Sequence, residues 1–353
     1  MMRRLTLSGG LILLMVCGDR LSSAAEFRPG EEWLDAEGRS IQAHGGGMLV
    51  KDGVYYWYGE DRRERRQTTV SCYSSTDLTA WKHEGVVFGP AAFPDAYRRN
   101  FIERPKVIFN PRTGKYVLWF HMEGRGYHFA RGGVATGDKA TGPFEFHDAI
   151  RPITENFDFP DDRNEQQRYG GTLRDMNLFV DDDGRAYVFY ASENNATLYI
   201  VRLNEEFTGP ETPIVEGETW ARAFVGEMRE APAPFKSGGR YYIITSGCTG
   251  WTPNAADHGV AENILGPWRA LGNPCVGDGA ERTFESQSTF VLPIADRPGC
   301  FIFMADRWRP RQLADSRYIW LPLVVEPDDK IELAWRDAWD LSALEPARAG
   351  QGL

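Results

Sequence analysis

Gly184–Ser192 (GRAYVFYAS) follows the turn Asp181-Asp-Asp and runs straight into a stretch of β-branched and aromatic residues. The same unit returns as Gly53–Glu60 (GVYYWYGE), Gly114–Met122 (GKYVLWFHM), Gly239–Gly247 (GRYYIITSG) and Gly299–Asp306 (GCFIFMAD). In chain order the turn glycines lie 61, 70, 55 and 60 residues apart. Each is preceded by a turn (KDG, PRTG, DDDG, KSGG, DRPG), and each turn by a short apolar segment (GGMLV, PKVIF, MNLFV, APAPF, STFVLP). A further strand follows in several copies: Gly133 to Gly142-Pro-Phe144 matches Gly259 to Gly266-Pro-Trp268, and Ser74 to Trp81 takes that place in the first copy. Turn glycines between Tyr-, Phe-, Val- and Ile-rich runs mark antiparallel hairpins. Self-similarity at this period means radial repetition, and three or four strands per unit, five times over, predicts an all-β chain folded as a five-bladed β-propeller. A pair of β-sandwiches would accommodate the strands but gives no reason for five copies of one unit. Arg317–Val325 and Ile331–Leu341 are strand-like and are expected to complete the last blade, hiding its edges where the ring closes.

The 353-residue chain carries 40 Lys and Arg against 50 Asp and Glu, a net charge of −10, with 13% aromatic residues. An acidic balance without a clustered basic face argues against a nucleic-acid partner. The densest basic run, Arg62–Arg66 (RRERR), is interrupted by a glutamate. Met1–Arg4, the apolar Leu11–Cys17 and the small residues Ser22–Ala25 form the basic, hydrophobic and cleavage regions of a secretory signal. The expectation is a signal peptide over 1–25, a single propeller domain over 26–345 and a short tail over 346–353. The mature chain would be a secreted or periplasmic monomer with no membrane span, or would be lipid-anchored at the outer surface through Cys17. Of the remaining cysteines, Cys275 and Cys300 are the nearest pair in sequence, and buried free thiols are the alternative reading for all four. The six histidines show no paired ligand spacing, so no metal and no cofactor are expected. Asp181-Asp-Asp-Gly184 reads as a hairpin turn rather than a calcium loop. His147–Thr172 reads as an irregular insertion at the mouth between the second and third blades.

The first strand of each blade lines the axis of a propeller, so the residue that opens it faces the mouth. Counting back from each turn glycine gives Gln42 and His44, then Glu103, Asp175, Glu230 and Gln287. Three of these are carboxylic acids. Acids sharing a cavity shift one another's pKa values, and two carboxyl groups across a pocket are the machinery of glycoside hydrolysis. Arg104, Arg174 and Arg229 stand next to the acids in sequence; strand alternation predicts that they point away from the cavity. Among the aromatics, Trp57 reads as core and Trp251, in the turn Gly250-Trp-Thr-Pro-Asn254, as the best sugar-stacking candidate. Tyr58, Tyr127, Trp220 and Trp308 also lie near strand ends or loops.

These residues resemble glycoside hydrolase family 43. Gln42-Ala-His-Gly-Gly-Gly47, Tyr55-Tyr-Trp-Tyr-Gly-Glu60, Glu103-Arg-Pro-Lys106, Gly250–Asn254, Ser286-Gln-Ser-Thr289 and Trp320-Leu-Pro-Leu323 are similar to its exo-β-1,3-galactanase (galactan 1,3-β-galactosidase) branch. The resemblance implies Glu230 as general acid, Asp175 as the residue that orients it, and inversion in one displacement. In the wider family the base is an aspartate on the first blade; here, as in that branch, Gln42 and His44 stand there instead. Gln287 then holds the attacking water, with Glu103 as the alternative base. Gln42, His44, Glu60, Tyr127, Trp251 and Asn254 are the expected substrate contacts, and the ligand is a galactan or arabinogalactan saccharide. Two other readings stay open: α-L-arabinofuranosidase, β-xylosidase or β-galactofuranosidase activity, and a non-catalytic carbohydrate-binding propeller.

Overall fold

In the computed structural model, which describes residues 26–64, 67–153, 171–295, 297–326 and 328–344, every repeated glycine closes a hairpin. The first blade is β1 (His44–Lys51), β2 (Val54–Asp61), β3 (Thr69–Ser75) and β4 (Lys82–Phe88). The second is β5 (Phe101–Asn110), β6 (Lys115–Glu123), β7 (Arg131–Gly137) and β8 (Glu145–Ile150). The third is β9 (Met176–Val180), β10 (Ala186–Ser192), β11 (Thr197–Arg202) and β12 (Trp220–Ala223). The fourth is β13 (Arg229–Ser237), β14 (Arg240–Gly247), β15 (Asp257–Ala261) and β16 (Arg269–Gly272). After β17 (Cys275–Val276), the fifth comprises β18 (Gln287–Pro293), β19 (Cys300–Arg307) and β20 (Arg317–Val324), and β21 (Leu333–Ala334) follows. Each blade is an antiparallel meander, so the chain is a five-bladed β-propeller. No helix among the described residues is long and apolar enough to cross a membrane.

The second strands read as unbroken apolar runs because each is covered on both faces by neighbouring blades. In β19, Cys300, Ile302 and Met304 pack toward the first blade, while Phe301, Phe303 and Ala305 pack toward the fourth. In β10, Val188 and Tyr190 face the second blade, and Phe189 and Ala191 face the fourth. β2 divides likewise, Trp57 toward the fifth blade and Tyr58 toward the second. Five apolar clusters therefore fill five seams. This alternation also separates Cys275 from Cys300, which lie in clusters on opposite faces of the fifth blade, so the disulfide suggested by their proximity does not form; all four described cysteines are free thiols.

The seam that closes the ring is the most aromatic. Trp57 stands 4.8 Å from Trp320 and 4.6 Å from Tyr318 between ring centroids, and Phe27 lies 4.5 Å from Trp339. Phe27 and Trp339 exchange backbone hydrogen bonds, and Gly30 N–H donates to the Tyr318 carbonyl at the edge of β20. The amino-terminal segment thus covers the fifth blade's outer edge. The expected completion by Ile331–Leu341 is smaller than the sequence suggests: Arg317–Val324 is the third strand, but the later segment contributes β21, paired in parallel with β17, and single bridges from Ile331 to Val325 and from Trp339 to Phe27. His147–Ile150 belongs to β8 and so is not part of an irregular insertion, and 154–170 of the predicted segment lie outside the described residues. Asp181–Gly184 forms the β9–β10 turn; the Asp181 carboxylate takes the Lys236 ammonium and, at 2.6 Å, the Tyr241 hydroxyl.

Near the axis the blades are laced by buried polar groups. Asn177 Nδ2 donates to the carbonyls of Pro232 and Thr289, both at 3.0 Å, and Ser288 Oγ donates to Ala231 O at 2.7 Å. The triple glycine of β1 serves close approach: a Cβ at Gly46 would lie 2.0 Å from the Tyr58 carbonyl oxygen, and one at Gly47 would lie 2.5 Å from Lys106 Cδ. Backbone cannot swing aside as a flexible side chain can. Gly46→Ala is therefore expected to lower stability by about 1–3 kcal/mol, as overpacking does, measured as a fall in the chemical-denaturation midpoint. A variant as stable as the parent would mean that the β1–β2 pair tolerates separation.

Candidate active site

Four innermost strands carry the same irregularity at their mouth ends. One extra residue is inserted between His44 and Gly47 in β1, Glu103 and Lys106 in β5, Glu230 and Ala233 in β13, and Ser288 and Phe290 in β18. In three of them the residue after the mouth position is left-handed: Gly45 at φ 57°, Arg104 at 54° and Ala231 at 51°. A bulge breaks the two-residue alternation and re-aims side chains. This overturns the expectation that the flanking arginines point away. Arg104 and Arg174 line the pocket together with Glu103, Asp175 and Glu230, whereas Arg229 turns aside onto Thr245.

The pocket at the mouth encloses about 270 Å³. Ligand pockets run to about 300–1,000 Å³, so this one suits a single sugar ring. Glu60, Tyr127, Trp251 and Gln287 also line it, as the sequence suggested. Gln42, His44 and Asn254 do not. Gln42 is buried, its Nε2 donating to the Ala314 carbonyl at 2.8 Å. His44 is buried, with Nδ1 3.1 Å from Asp306 Oδ1 and its ring stacked on Tyr318. Asn254 closes its own loop, accepting from Gly247 N–H at 2.7 Å and donating to Gly247 O at 2.9 Å. A strand-end polar residue can be consumed by a neighbouring loop, and these three are. Trp57, Tyr58 and Trp220 are core; Tyr127, Trp251 and Trp308 form the aromatic wall, with Trp251 and Trp308 5.6 Å apart edge to face.

Arg104 sits at the centre. Its Nη2 lies 2.9 Å from Asp175 Oδ2 and also donates to Gln287 Oε1, while Nη1 donates to Ser288 O at 3.1 Å. Its backbone N–H donates to Glu60 Oε1 at 2.8 Å. Glu230 has no such cation on its own oxygens. Oε1 accepts from Gln287 Nε2 and Oε2 from Asn195 Nδ2, both at 3.0 Å. Burial first, and then the charge of Asp175, push the Glu230 carboxyl up to about 7 against the pull of Arg104. Burial and the Glu230 charge likewise push the Cys248 thiol up to about 12.

Glu103 is tuned the opposite way. Burial would raise its carboxyl, but the hydrogen bond and charge of His121, then Arg62 and the Tyr127 hydroxyl, overcome that and hold it at about 2. Tyr127 Oη donates to Glu103 Oε1 at 2.7 Å, and His121 Nδ1 lies 3.1 Å from Oε2. Burial opposes charge on His121 too, yet Glu103 and Glu123 raise it to about 9, so the pair is ionic at neutral pH. Two carboxyl groups in one pocket are thus driven apart, one raised to titrate near neutrality and one kept charged. Gln287 has spent its amide: Oε1 accepts from Arg104 and from Trp308 Nε1 (3.0 Å), and Nε2 donates to Glu230 and to Ser246 Oγ (2.9 Å).

Sequence reading missed Arg104, Arg62, His121 and Asn195. His121 comes from a second strand, where the apolar pattern hides it. Asn195 ends a run of three left-handed residues, Glu193, Asn194 and Asn195, for which the Asn-Asn pair was the available signal. Beneath the pocket along β5 lies Lys106, fully buried. Its Nζ donates to Gly45 O at 2.7 Å and approaches Arg104 O at 3.4 Å, the carbonyls of two bulges. Beyond it, on the opposite face of the ring, an apolar cavity of about 370 Å³ opens between the far ends of the innermost strands. Among the described residues no group of three His, Cys, Asp or Glu gathers to hold a metal ion.

The model described as "Glycosyl hydrolases family 43" matches residues 47–287, and the chain belongs to that family: it is a glycosidase. It is similar to a solved family 43 β-1,3-galactosidase in complex with galactodeoxynojirimycin, at 39% identity and TM-score 0.80 over 89% of this chain and 100% of that one. A second family 43 β-1,3-galactosidase shares 35% identity with TM-score 0.80 over 91% of this chain and 65% of its own. An exo-β-1,3-galactanase from Phanerochaete chrysosporium, solved with β-1,3-galactotriose, shares 33% identity with TM-score 0.77 over 89% of this chain and 68% of its own. The chain thus spans the whole of the first relative and about two thirds of the other two. No curated protein matches it.

Asp175→Asn removes the second-largest cause of the Glu230 shift and leaves Arg104 with less to neutralise it. Both effects favour the carboxylate, so the Glu230 pKa is expected to fall by about one unit or more, read by NMR titration of labelled glutamate. An unmoved Glu230 resonance would show that burial alone sets its proton affinity.

Proposed function

We propose that the protein is a secreted exo-acting galactan 1,3-β-galactosidase that releases terminal galactose from β-1,3-linked galactan with inversion. The observation that carries this reading is Glu230, a carboxyl group whose pKa is raised to about 7, so that a protonated fraction persists near neutrality, at the wall of a pocket sized for one sugar. The β-1,3-galactosidases among the relatives support the sugar and the linkage. Glu230 donates its proton to the leaving oxygen as the glycosidic bond breaks. Asp175 raises the affinity of Glu230 for that proton through its charge, and Arg104 orients Asp175. Glu103, fixed as a carboxylate by His121 and Tyr127, accepts hydrogen bonds from sugar hydroxyls; at about 2 it is too weak a base to suit proton abstraction from water at neutral pH. Tyr127 and Trp251 offer apolar faces to the ring.

Water enters on the face opposite Glu230, and Gln287 holds it once substrate displaces one of the amide's four hydrogen bonds. The saturation of that amide favours a second reading, in which Gln287 only fixes the Glu230 carboxyl and water is oriented by the sugar itself.

The hydrolase reading is tested by incubating the protein with β-1,3-galacto-oligosaccharides and following the product by proton NMR. The expected first product is α-galactose; β-galactose first would overturn inversion, and no release would overturn the activity. The rate should fall as pH rises above about 7, where Glu230 loses its proton. Glu230→Gln should reduce turnover on unactivated galactan about 10²–10⁴-fold while binding persists.

Gln287→Ala separates the two readings of the amide. If Gln287 holds the water, azide should restore turnover and give an α-galactosyl azide. Restored activity on a substrate with an activated leaving group, without any azide product, would place Gln287 with the acid instead.

A further inference from the structure

Glu123, the last residue of β6, is fully buried and lies outside the set of residues that line the pocket. The strand period of two places it on the same face of β6 as His121, and the β5–β6 register sets His121 opposite Glu103. The three side chains form a line running away from the sugar site. His121 Nδ1 lies 3.1 Å from Glu103 Oε2, and its Nε2 lies 3.3 Å from Glu123 Oε2.

The other oxygen of the same carboxylate holds backbone. Glu123 Oε1 accepts from Gly124 N–H and Phe129 N–H, both at 2.8 Å, and from Ala130 N–H at 3.2 Å. These amides bracket the turn that carries Tyr127, whose hydroxyl returns to Glu103. The turn is strained, with Tyr127 at φ 57° and Ala130 at φ 39°, and such strain persists where neighbours fix it. Its carbonyls are gripped from other blades: Arg174 Nη2 donates to Tyr127 O at 3.0 Å, and Arg151 Nη2 to Phe129 O at 2.9 Å. One carboxylate therefore closes a ring of contacts, through His121 on one side and Tyr127 on the other, both ending on Glu103. Burial opposes charge on Glu123, but the hydrogen bond and charge of His121, then the Gly124 and Ala130 amides, hold its carboxyl below the usual value. Of the other charges around this line, Arg151 faces Glu123, and Arg62 and Glu60 face Glu103. A neutral acceptor would satisfy the three amides. A charge matters for His121, which is buried and needs a second anion to remain an imidazolium.

We propose that Glu123 is a positioning residue for the sugar-binding side of the reaction: its charge holds the His121 imidazolium, its Oε1 holds the Tyr127 turn, and the two together fix Glu103 as an oriented carboxylate. The proposal rests on the hydrolase reading above, in which Glu103 receives sugar hydroxyls.

Two variants of the full chain separate the two arms. Glu123→Gln keeps an oxygen for the amides and loses the charge; Glu123→Ala loses both. In Glu123→Gln the His121 pKa, about 9 in the parent, is expected to fall by about one unit or more, read by NMR of the labelled imidazole. KM on β-1,3-galacto-oligosaccharides should rise about tenfold over the parent at about pH 8, the scale of losing a hydrogen bond to a charged group. The rise should be smaller at about pH 6, below the lowered pKa, where His121 regains its proton. kcat should change little, because Glu230 and Asp175 are untouched. Glu123→Ala should raise KM at both pH values, since the Tyr127 turn is released as well; should it fail to fold, Glu123→Gln carries every readout alone. An unmoved His121 titration, or parental KM values in Glu123→Gln, would overturn the proposal. So would a lower kcat at unchanged KM, the pattern that a fraction of unfolded protein gives. If the parent cleaves no galactan, the hydrolase reading falls by itself, and the His121 titration together with calorimetric titration of galactose still decides the role of Glu123.

Discussion

The guanidinium of Arg104 is the contact on which the mouth of the ring depends. It joins Asp175 from the third blade to Gln287 and Ser288 from the fifth, while its own amide holds Glu60 from the first. It can do so only because β5 bulges and puts Arg104 in the left-handed region, a conformation that a non-glycine residue adopts at a cost of about 1–2 kcal/mol. Strain of this kind persists where the surroundings over-determine it, and here a half-buried carboxylate, a carbonyl and an amide all fix the same group. Arg104 pairs with Asp175 and not with Glu230, whose oxygens are held by the neutral amides of Gln287 and Asn195, so Glu230 stands close to a negative charge with no cation on its own oxygens. Burial first, and that neighbouring charge second, then raise the Glu230 carboxyl.

The propeller was legible because the second strand of every blade is sandwiched between two neighbours, and that burial writes the same apolar run five times. The mouth residues were legible for a related reason. Their distance from the turn glycine is set by the length of one hairpin, so Glu103, Asp175, Glu230 and Gln287 could be found by counting. What counting missed lies where alternation fails. The bulge turns Arg104 inward against its period, and Arg174 enters the pocket just ahead of β9 instead of within it. His121 and Asn195 reach the site from neighbouring elements, so no spacing within one strand marks them. Gln42, His44 and Asn254 sat in the right places but were committed to Ala314, Asp306 and Gly247, partners up to hundreds of residues away in sequence.

The Trp57 and Trp251 assignments show where composition alone stops being informative. Both are tryptophans in a β-rich chain, yet Trp57 is 1% exposed in the closing seam and Trp251 is 48% exposed at the pocket. The strand position of one and the turn position of the other separated them, because a strand interior must face a neighbouring blade and a turn need not.

Lys106 lies buried between the pocket and the apolar cavity on the far face, its ammonium held by carbonyls of the first and second blades. The axis of the ring is thus stoppered, and a blind recess differs from a tunnel in its traffic. A polymer cannot be threaded through a stoppered ring, so the piece cut off and the chain it came from share one doorway. For the reaction proposed, the severed sugar lies deepest and the shortened chain nearest the exit. The chain must retreat before the sugar can leave, and each cut then begins with a fresh encounter. In that proposed reaction the stopper would favour a distributive attack, one unit per visit, spread over many chain ends rather than run along one.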